Sequence, residues 1–468
     1  MTQDSTVDVV VIGLGPGGEH LAAELARSGL EVVGVERRLV GGECPYYGCI
    51  PSKMMVRAAG TLAEARRVDG LAGAASLSPS WAPVAARIRD EATTDWDDRA
   101  AVDRLEAAGA SLLRGTARLT GPGQVTVRTA DGPRTLVARR GVVLNTGTEP
   151  ATPPIEGLAG TPYWTNREAV RVTELPDRLA VVGGGAIGVE MAQAFARFGV
   201  AVSVIEAGPR ILGPEEPEAA DVVRRALRAD GITVLEDVGV DRVEHAAGRF
   251  TVHAGGDSVV ADALLVAAGR RSNLGDVGLE TVGLDPAARF IDVDDRMRAG
   301  ERLWAVGDIT GKGAFTHLSM YQAGVAIRDI LDQDGPAADY RAVSRVTFTD
   351  PEVGAVGWTE RQARDAGRRV AVGVTDLADS SRGWLHGPGP DGTANAGVVK
   401  VVADLDRGVL LGGTTVGPSG GEMIGLLATA VHAGTPIDTL RSMHFAYPTF
   451  HRAIESALAA LPDSARTP

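Results

Sequence analysis

The 468-residue chain contains two cysteines, and both lie in one run, Gly41-Gly42-Glu43-Cys44-Pro45-Tyr46-Tyr47-Gly48-Cys49-Ile50-Pro51-Ser52-Lys53. Two thiols this close can cycle between dithiol and disulfide or can ligate a metal. A zinc site needs two further ligands, and no other Cys or His lies nearby, so a redox pair is the stronger reading and no metal site is assigned. On an ideal helix, residues five apart rise about 7.5 Å and point in different directions, too far for a relaxed disulfide. Gly48 and Pro51 are the residues that can distort the helix. Lys53 closes the motif in a chain whose only other lysines are Lys312 and Lys400, and whose positive charge is otherwise arginine.

Elements that would position such a pair are readable on either side. The apolar run Val7 to Ile12 leads into Gly13-Leu-Gly15-Pro-Gly-Gly18, a helical pattern through Arg27, and a second apolar run, Leu30 to Val35, ending at Glu36. The same grammar returns at Arg178 to Val182, Gly183-Gly-Gly185-Ala-Ile-Gly188, a helical pattern through Phe198, and Ala201 to Ile205 ending at Glu206. One Gly-x-Gly-x-x-Gly is weak, but two copies, each between a strand and a helix and each followed by an acid, predict two dinucleotide folds. The first glycine makes the tight turn and the second admits a pyrophosphate. The third packs helix on strand, while the helix N-terminus attracts negative charge.

The chain is too long for one hydrophobic core. Apolar runs at Gly141 to Leu144, before Asn145-Thr146-Gly147, and at Ala263 to Ala267, before Ala268-Gly269-Arg270, close the two units. A Pro-rich turn near 149–154 marks a boundary, and after about 273 the chain returns to the first domain through Leu303 to Val306 and Gly307-Asp308. From about 341 strand patterns and closing helices follow, and residues from about Pro462 read as a frayed tail. A net charge of −13 argues against a nucleic-acid partner. No signal peptide or stretch of 18 uncharged apolar residues is present, so no membrane partner and a cytoplasmic location are expected.

These motifs make the chain resemble the flavoprotein disulfide reductases, which include lipoamide dehydrogenase, glutathione reductase and mercuric reductase. The resemblance covers almost the whole chain and includes Phe348-Thr-Asp-Pro351-Glu352 through Glu360, which looks like the opening of the family's dimerisation domain. It implies an α/β protein with two Rossmann-like dinucleotide-binding domains and a C-terminal α+β dimerisation domain. The expected boundaries are 1–150 and 273–340 for the FAD domain, 151–272 for the NAD(P) domain and 341–468 for dimerisation. FAD would be held by Gly13, Gly15 and Gly18 at the pyrophosphate, Glu36 at the adenosine ribose and Asp308 at the ribityl chain, with Gly42, Gly147, Gly307 and Lys53 close by. The nicotinamide dinucleotide would be held by Gly183, Gly185, Gly188, Glu206 and Gly269. Cys44 would be the exposed interchange thiol, Cys49 the thiol beside the flavin, and Lys53 with Glu190 the pair near flavin N5.

Glu206 ends a strand where a carboxylate bonds the ribose hydroxyls of NAD and repels a 2′-phosphate, so NAD is expected. Arg210, four residues on, keeps NADP open. The resemblance fails at the C-terminus. Tyr447 stands where the family places a base, His, and Arg452 where it places that base's carboxylate partner. An ordinary Tyr titrates near 10 and is a poor base at neutral pH. His451 and Glu455, four apart, are candidates for a displaced dyad, His444 for approach from the other side of the turn, and both histidines for surface or interface roles. Tyr46 implies a reshaped pocket. The expected activity is a homodimeric FAD-dependent NAD(P)H oxidoreductase passing electrons through Cys44 and Cys49 to a small-molecule acceptor, which is an unusual disulfide, a quinone or a metal ion. The alternatives are direct flavin reduction of quinone or oxygen, and a non-catalytic FAD-binding assembly subunit.

Overall fold

Burial on both faces distinguishes the first strand. Ser5–Ile12 keeps Val9, Val10 and Val11 fully buried, as a strand does when it is flanked by parallel neighbours in a covered sheet. It pairs in parallel with Val32–Glu36 on one side and with Gly132–Leu144 on the other. The chain was studied as a computed structural model that describes residues 5–69 and 71–463; the last residues of the expected frayed tail, 464–468, lie outside the described residues.

Internal contacts divide the chain into two compact units. The first takes Met1–Pro51, Ala86–Ala151 and Arg270–Asp339, and the second Ser52–Ala85, Thr152–Gly269 and Tyr340–Pro468, each as far as residues are described. The first unit is built on an eight-stranded sheet whose main path runs Arg298–Gly300, Leu303–Ala305, Gly132–Leu144, Ser5–Ile12, Val32–Glu36, Ser111–Arg114. Its core joins Val10, Ile12, Val142 and Leu144 to Leu119, Val127 and Ile309. Each such side chain contributes about 1.5–3 kcal/mol on burial. Strands dominate the segment 101–147. After the helix Arg99–Ala107 come four strands, of which Gly132–Leu144 serves both an antiparallel hairpin and the parallel sheet.

In the second unit, a four-stranded parallel sheet has the order Thr233–Leu235, Ala201–Ile205, Arg178–Val182, Ala263–Val266. The same unit holds a three-stranded antiparallel sheet over 240–261 and a five-stranded antiparallel sheet over 344–417 backed by the helices Gly420–Ala433 and Arg452–Ala459. Both expected βαβ units form, with small shifts. The first helix is Pro16–Arg27, opened by proline in its first turn, and Gly29 leaves it at φ +89. The second helix, Ala186–Arg197, stops one residue short of the expected Phe198, which caps it before Gly199 turns away at φ +100.

Candidate functional site

In the first unit the glycines of the first motif are dictated by backbone approach. Gly13 has φ +91 and donates to Val35 O at 2.9 Å; a Cβ there would lie 2.3 Å from Asn145 O. A Cβ on Gly18 would lie 2.1 Å from Gly13 O, so strand, turn and helix close on one another only without side chains. Gly15 caps the Pro16–Arg27 helix without any side-chain cap, which leaves the helix N-terminus for an anion. Glu36 takes Leu14 N at 2.9 Å and Arg38 N at 2.7 Å, so its buried carboxylate is anchored at the rim of the turn.

Asn145, which the sequence presents only as the start of a turn, holds this cradle together. Its Oδ1 accepts from Gly18 N at 2.9 Å, and its Nδ2 donates to Val306 O at 3.0 Å and to Ser319 Oγ at 3.4 Å. A Cβ on Gly307, at φ +83, would lie 2.7 Å from the same Nδ2. Asp308 accepts from Thr148 Oγ1 at 2.6 Å, and Arg270 bonds Thr148 Oγ1 and O at 2.7 and 2.9 Å. Gly147, at φ +63, has open space where a Cβ would stand. Thr146 Oγ1 is buried with no hydrogen-bond partner among the described residues. A bare helix N-terminus, a buried unpaired hydroxyl and glycines that cannot carry side chains fit a dinucleotide such as FAD.

The cysteine segment is pinned to this cradle within the same unit. Gly41 N donates to Leu14 O at 2.7 Å, and a Cβ on Gly42, at φ +68, would lie 2.9 Å from Gly15 Cα. Gly48 supplies the break that brings the thiols together. A short helix, Glu43–Tyr47, ends at Gly48 with φ −122 and ψ −110, and the helix Cys49–Arg66 starts immediately after it. Cys49 Sγ lies 3.5 Å from the hydroxyl of Thr316, at the start of the helix Thr316–Ile330. The Cys44 thiol is pushed up by its hydrogen bond with Cys49 and by burial, against the opposing pull of Thr316.

Cys44 is half-buried and Cys49 exposed in the chain's own surface. The physical reason is local, since Cys44 sits in the first turn of a five-residue helix beneath Gly48, whereas Cys49 opens a helix. A raised thiol keeps its proton at neutral pH, and only the thiolate alkylates. Labelling of Cys44 in the reduced protein should therefore climb steadily as pH rises past about 8.5, the ordinary thiol value, without levelling there. Mass mapping after iodoacetamide treatment checks this, and a Cys44 plateau below that pH would contradict it. Tyr46 is buried, with its carbonyl accepting from Trp96 Nε1 at 3.1 Å; burial, then Asp98 and Glu19, push its hydroxyl up to about 12. Its side chain packs inward.

In the second unit the second glycine motif repeats the pattern. Gly183 has φ +108 with a Cβ position 2.5 Å from Ala267 O, a Cβ on Gly188 would lie 2.0 Å from Gly183 O, and Gly185 has open space. Gly269, at φ +117, also has open space. Glu206 takes Gly184 N and Gly208 N, both at 2.6 Å. Arg210 turns back to Gly213 O and Glu215 O, both at 2.9 Å. Lys53 Nζ meets Glu190 Oε2 at 2.6 Å; the Lys53 side chain is 35% exposed and that of Glu190 is 6% exposed.

At the C-terminus Tyr447 is 68% exposed, with the Arg452 guanidinium 5.3 Å from its ring centre. Glu455 pairs with Arg452 at 2.9 Å, so its carboxylate is committed there and the expected His451–Glu455 dyad does not form. His451 precedes the helix Arg452–Ala459 and its carbonyl accepts from Ile454 N, while His444 is exposed. No group of three or more His, Cys, Asp and Glu that could hold a metal occurs among the described residues, and no described helix is long and apolar enough to cross a membrane.

Residues 7–328 match the pyridine nucleotide-disulphide oxidoreductase family, and residues 343–458 match that family's dimerisation domain. The chain belongs to the pyridine nucleotide-disulphide oxidoreductases. A dihydrolipoyl dehydrogenase of Chlorobaculum tepidum is 32% identical over 96% of both chains, and a mercuric reductase of Acidithiobacillus ferrooxidans is 33% identical over 96% of this chain and 81% of that protein. Among solved structures, the Cu(II) complex of the HOCl-induced flavoprotein disulfide reductase RclA of Escherichia coli has a TM-score of 0.83 and 27% identity, covering 97% of this chain and 99% of that one. LpdA of Mycobacterium tuberculosis has a TM-score of 0.84 at 25% identity, with the same coverage. Like other members of its family, this α/β protein is an FAD-dependent oxidoreductase that uses a nicotinamide dinucleotide and a redox-active disulfide. Sequence reasoning missed Asn145, Thr148, Thr316 and Phe348 as site residues. Asn145 alone carried a signal, as a polar residue directly after a buried apolar strand.

Proposed function

We propose that the protein passes two electrons from NADH through FAD to Cys44 and Cys49 and on to a small-molecule acceptor that does not depend on a histidine base. The observation that carries this reading is the pinning of the cysteine segment on the first glycine turn, through Gly41 N on Leu14 O and the close approach of Gly42 to Gly15. When bound, FAD relays the hydride's electron pair to the disulfide. In this reading Gly13, Gly15 and Gly18 would hold the pyrophosphate, Glu36 the adenosine ribose and Asp308 the ribityl chain, and Lys53 with Glu190 would be the pair for flavin N5. One thiol, proposed as Cys44, meets the acceptor; the other, Cys49, stays beside the flavin. Alkylating the NADH-reduced holoenzyme tests this assignment. Label on Cys49 with Cys44 protected exchanges the two roles.

Tyr447 and Arg452 support an acceptor outside ordinary dithiol exchange, because that exchange needs a base to take a proton from the substrate thiol. A thiophilic metal ion is bound by thiolates directly, and relatives named for mercuric reduction and a copper complex make metal ions the first acceptors to assay. Quinones and unusual low-molecular-weight disulfides complete the panel. Activity in the NADH-linked assay with none of the three classes would overturn the reading.

Glu206 supports NAD over NADP. Two like charges about 4 Å apart cost about 1 kcal/mol in water and about 4 kcal/mol at an effective dielectric of 20, so kcat/KM for NADH should exceed that for NADPH by about fivefold to nearly a thousandfold. Equal values would shift the assignment to Arg210. We also propose a two-fold homodimer in the cytoplasm, supported by the dimerisation domain at 343–458, with Tyr447 acting at the partner's disulfide. Mixed dimers of Cys44→Ser and Tyr447→Phe subunits keep one intact site in two, so they should recover about half the wild-type activity. No recovery argues against a shared site.

A further inference from the structure

The Glu190 carboxylate has a second partner that the pairing with Lys53 does not require. Its Oε2 takes Lys53 Nζ at 2.6 Å, while its Oε1 takes the backbone N–H of Phe348 at 2.8 Å. The Phe348 ring also lies beneath the lysine, with Nζ 4.6 Å from its centre. Phe348 lies near the start of the segment, 343–458, that matches the dimerisation domain, and the turn it starts is fastened along one face of the helix Ala186–Arg197. Gln193, three residues after Glu190, accepts from Asp350 N at 2.7 Å and donates to Asp350 O at 2.8 Å. Arg197, seven after Glu190, reaches the Asp350 carboxylate at 2.9 Å, and Arg67, the residue just past the helix that carries Lys53, reaches it at 2.8 Å. Spacings of three and seven put Glu190, Gln193 and Arg197 in one stripe, and all three are buried.

A buried carboxylate is costly unless its oxygens are satisfied, and here one is closed by the lysine and the other by the dimerisation segment. We propose that Phe348 is a positioning residue for Lys53: its amide fixes Glu190 and its ring faces the ammonium, so the lysine is set only when the 348–350 turn is docked. This rests on the reading of Lys53 and Glu190 as the flavin-side pair. Cation–π contact holds the ammonium on the ring face, and an aliphatic side chain of similar size cannot replace it.

The test uses full-length holoenzyme with Phe348→Leu, Phe348→Tyr and Lys53→Met. In rapid mixing with NADH, Phe348→Leu should lower the limiting rate of flavin reduction about fivefold to thirtyfold with little change in the NADH concentration at half-maximum, and Phe348→Tyr should restore most of it. A second readout needs no turnover. With only three lysines in the chain, Lys53 acylation is scored by peptide mapping against exposed Lys312, while Lys400 is buried among Glu216, Glu218 and Glu360. The Lys53 to Lys312 ratio should rise about threefold or more in Phe348→Leu and stay at the wild-type value in Phe348→Tyr. If Lys53→Met slows reduction but Phe348→Leu changes neither the rate nor the ratio, the positioning proposal is overturned while the pair survives. An unchanged rate in Lys53→Met overturns the pair and the proposal with it.

Discussion

Serine at position 44 or at position 49 should lower NADH-linked reduction of a thiol-dependent acceptor by on the order of a thousandfold or more, while NADH still reduces the flavin in a single turnover. The expectation follows from the pinned segment. Gly48 breaks the helix so that two thiols share one place, and no third cysteine exists in the chain to substitute for either. A hydroxyl in place of either sulfur cannot form the disulfide, so electrons reaching the flavin have no route to an acceptor that must exchange with sulfur. Rapid mixing isolates the first step and steady-state assay the whole path. Should quinone reduction survive in Cys44→Ser at the wild-type rate, that activity leaves from the flavin directly and the disulfide serves another acceptor.

The second large effect concerns Asn145. Leucine there has nearly the same size but leaves Gly18 N and Val306 O buried without their present partner. Each unsatisfied buried group costs about 1–3 kcal/mol, and together they amount to about 2–6 kcal/mol. In a unit of this size that corresponds to a fall in Tm of roughly 4–24 °C. Because the same amide holds the first helix against the Gly307 turn, FAD should also be lost on gel filtration and the protein should elute pale. Differential scanning calorimetry and the flavin-to-protein absorbance ratio check the two effects. An Asn145→Leu protein with wild-type Tm and full flavin content would show that the three contacts do not hold the cradle.

Local chemistry was legible in the sequence where one residue type has one physical use. Gly13, Gly18, Gly183 and Gly188 stand where a side chain would collide with backbone within 2.5 Å, so their spacing announces both turns. Glu36 and Glu206 end buried strands, and each is anchored by two backbone amides. Contacts between distant parts of the chain left little trace. Thr316 lies 267 residues from Cys49, and Phe348 lies 158 from Glu190; a threonine and a phenylalanine in such places have no periodicity or charge to mark them. The His451–Glu455 pairing was one candidate that helical spacing allowed; Glu455 instead meets Arg452, which is three residues away on the same helix and carries a permanent charge. Exposure of the two cysteines was likewise beyond the sequence, because it depends on how the five-residue helix folds back under Gly48.

The central claim is that electrons from NADH come to rest on Cys44 and Cys49, and anaerobic titration of the FAD-loaded protein with NADH tests it most directly. One equivalent should generate two thiols per chain, counted with a chromogenic disulfide reagent after unfolding, together with a long-wavelength charge-transfer band that is absent in Cys49→Ser. Complete bleaching of the flavin by that first equivalent, with no new thiols and no such band, would contradict the account.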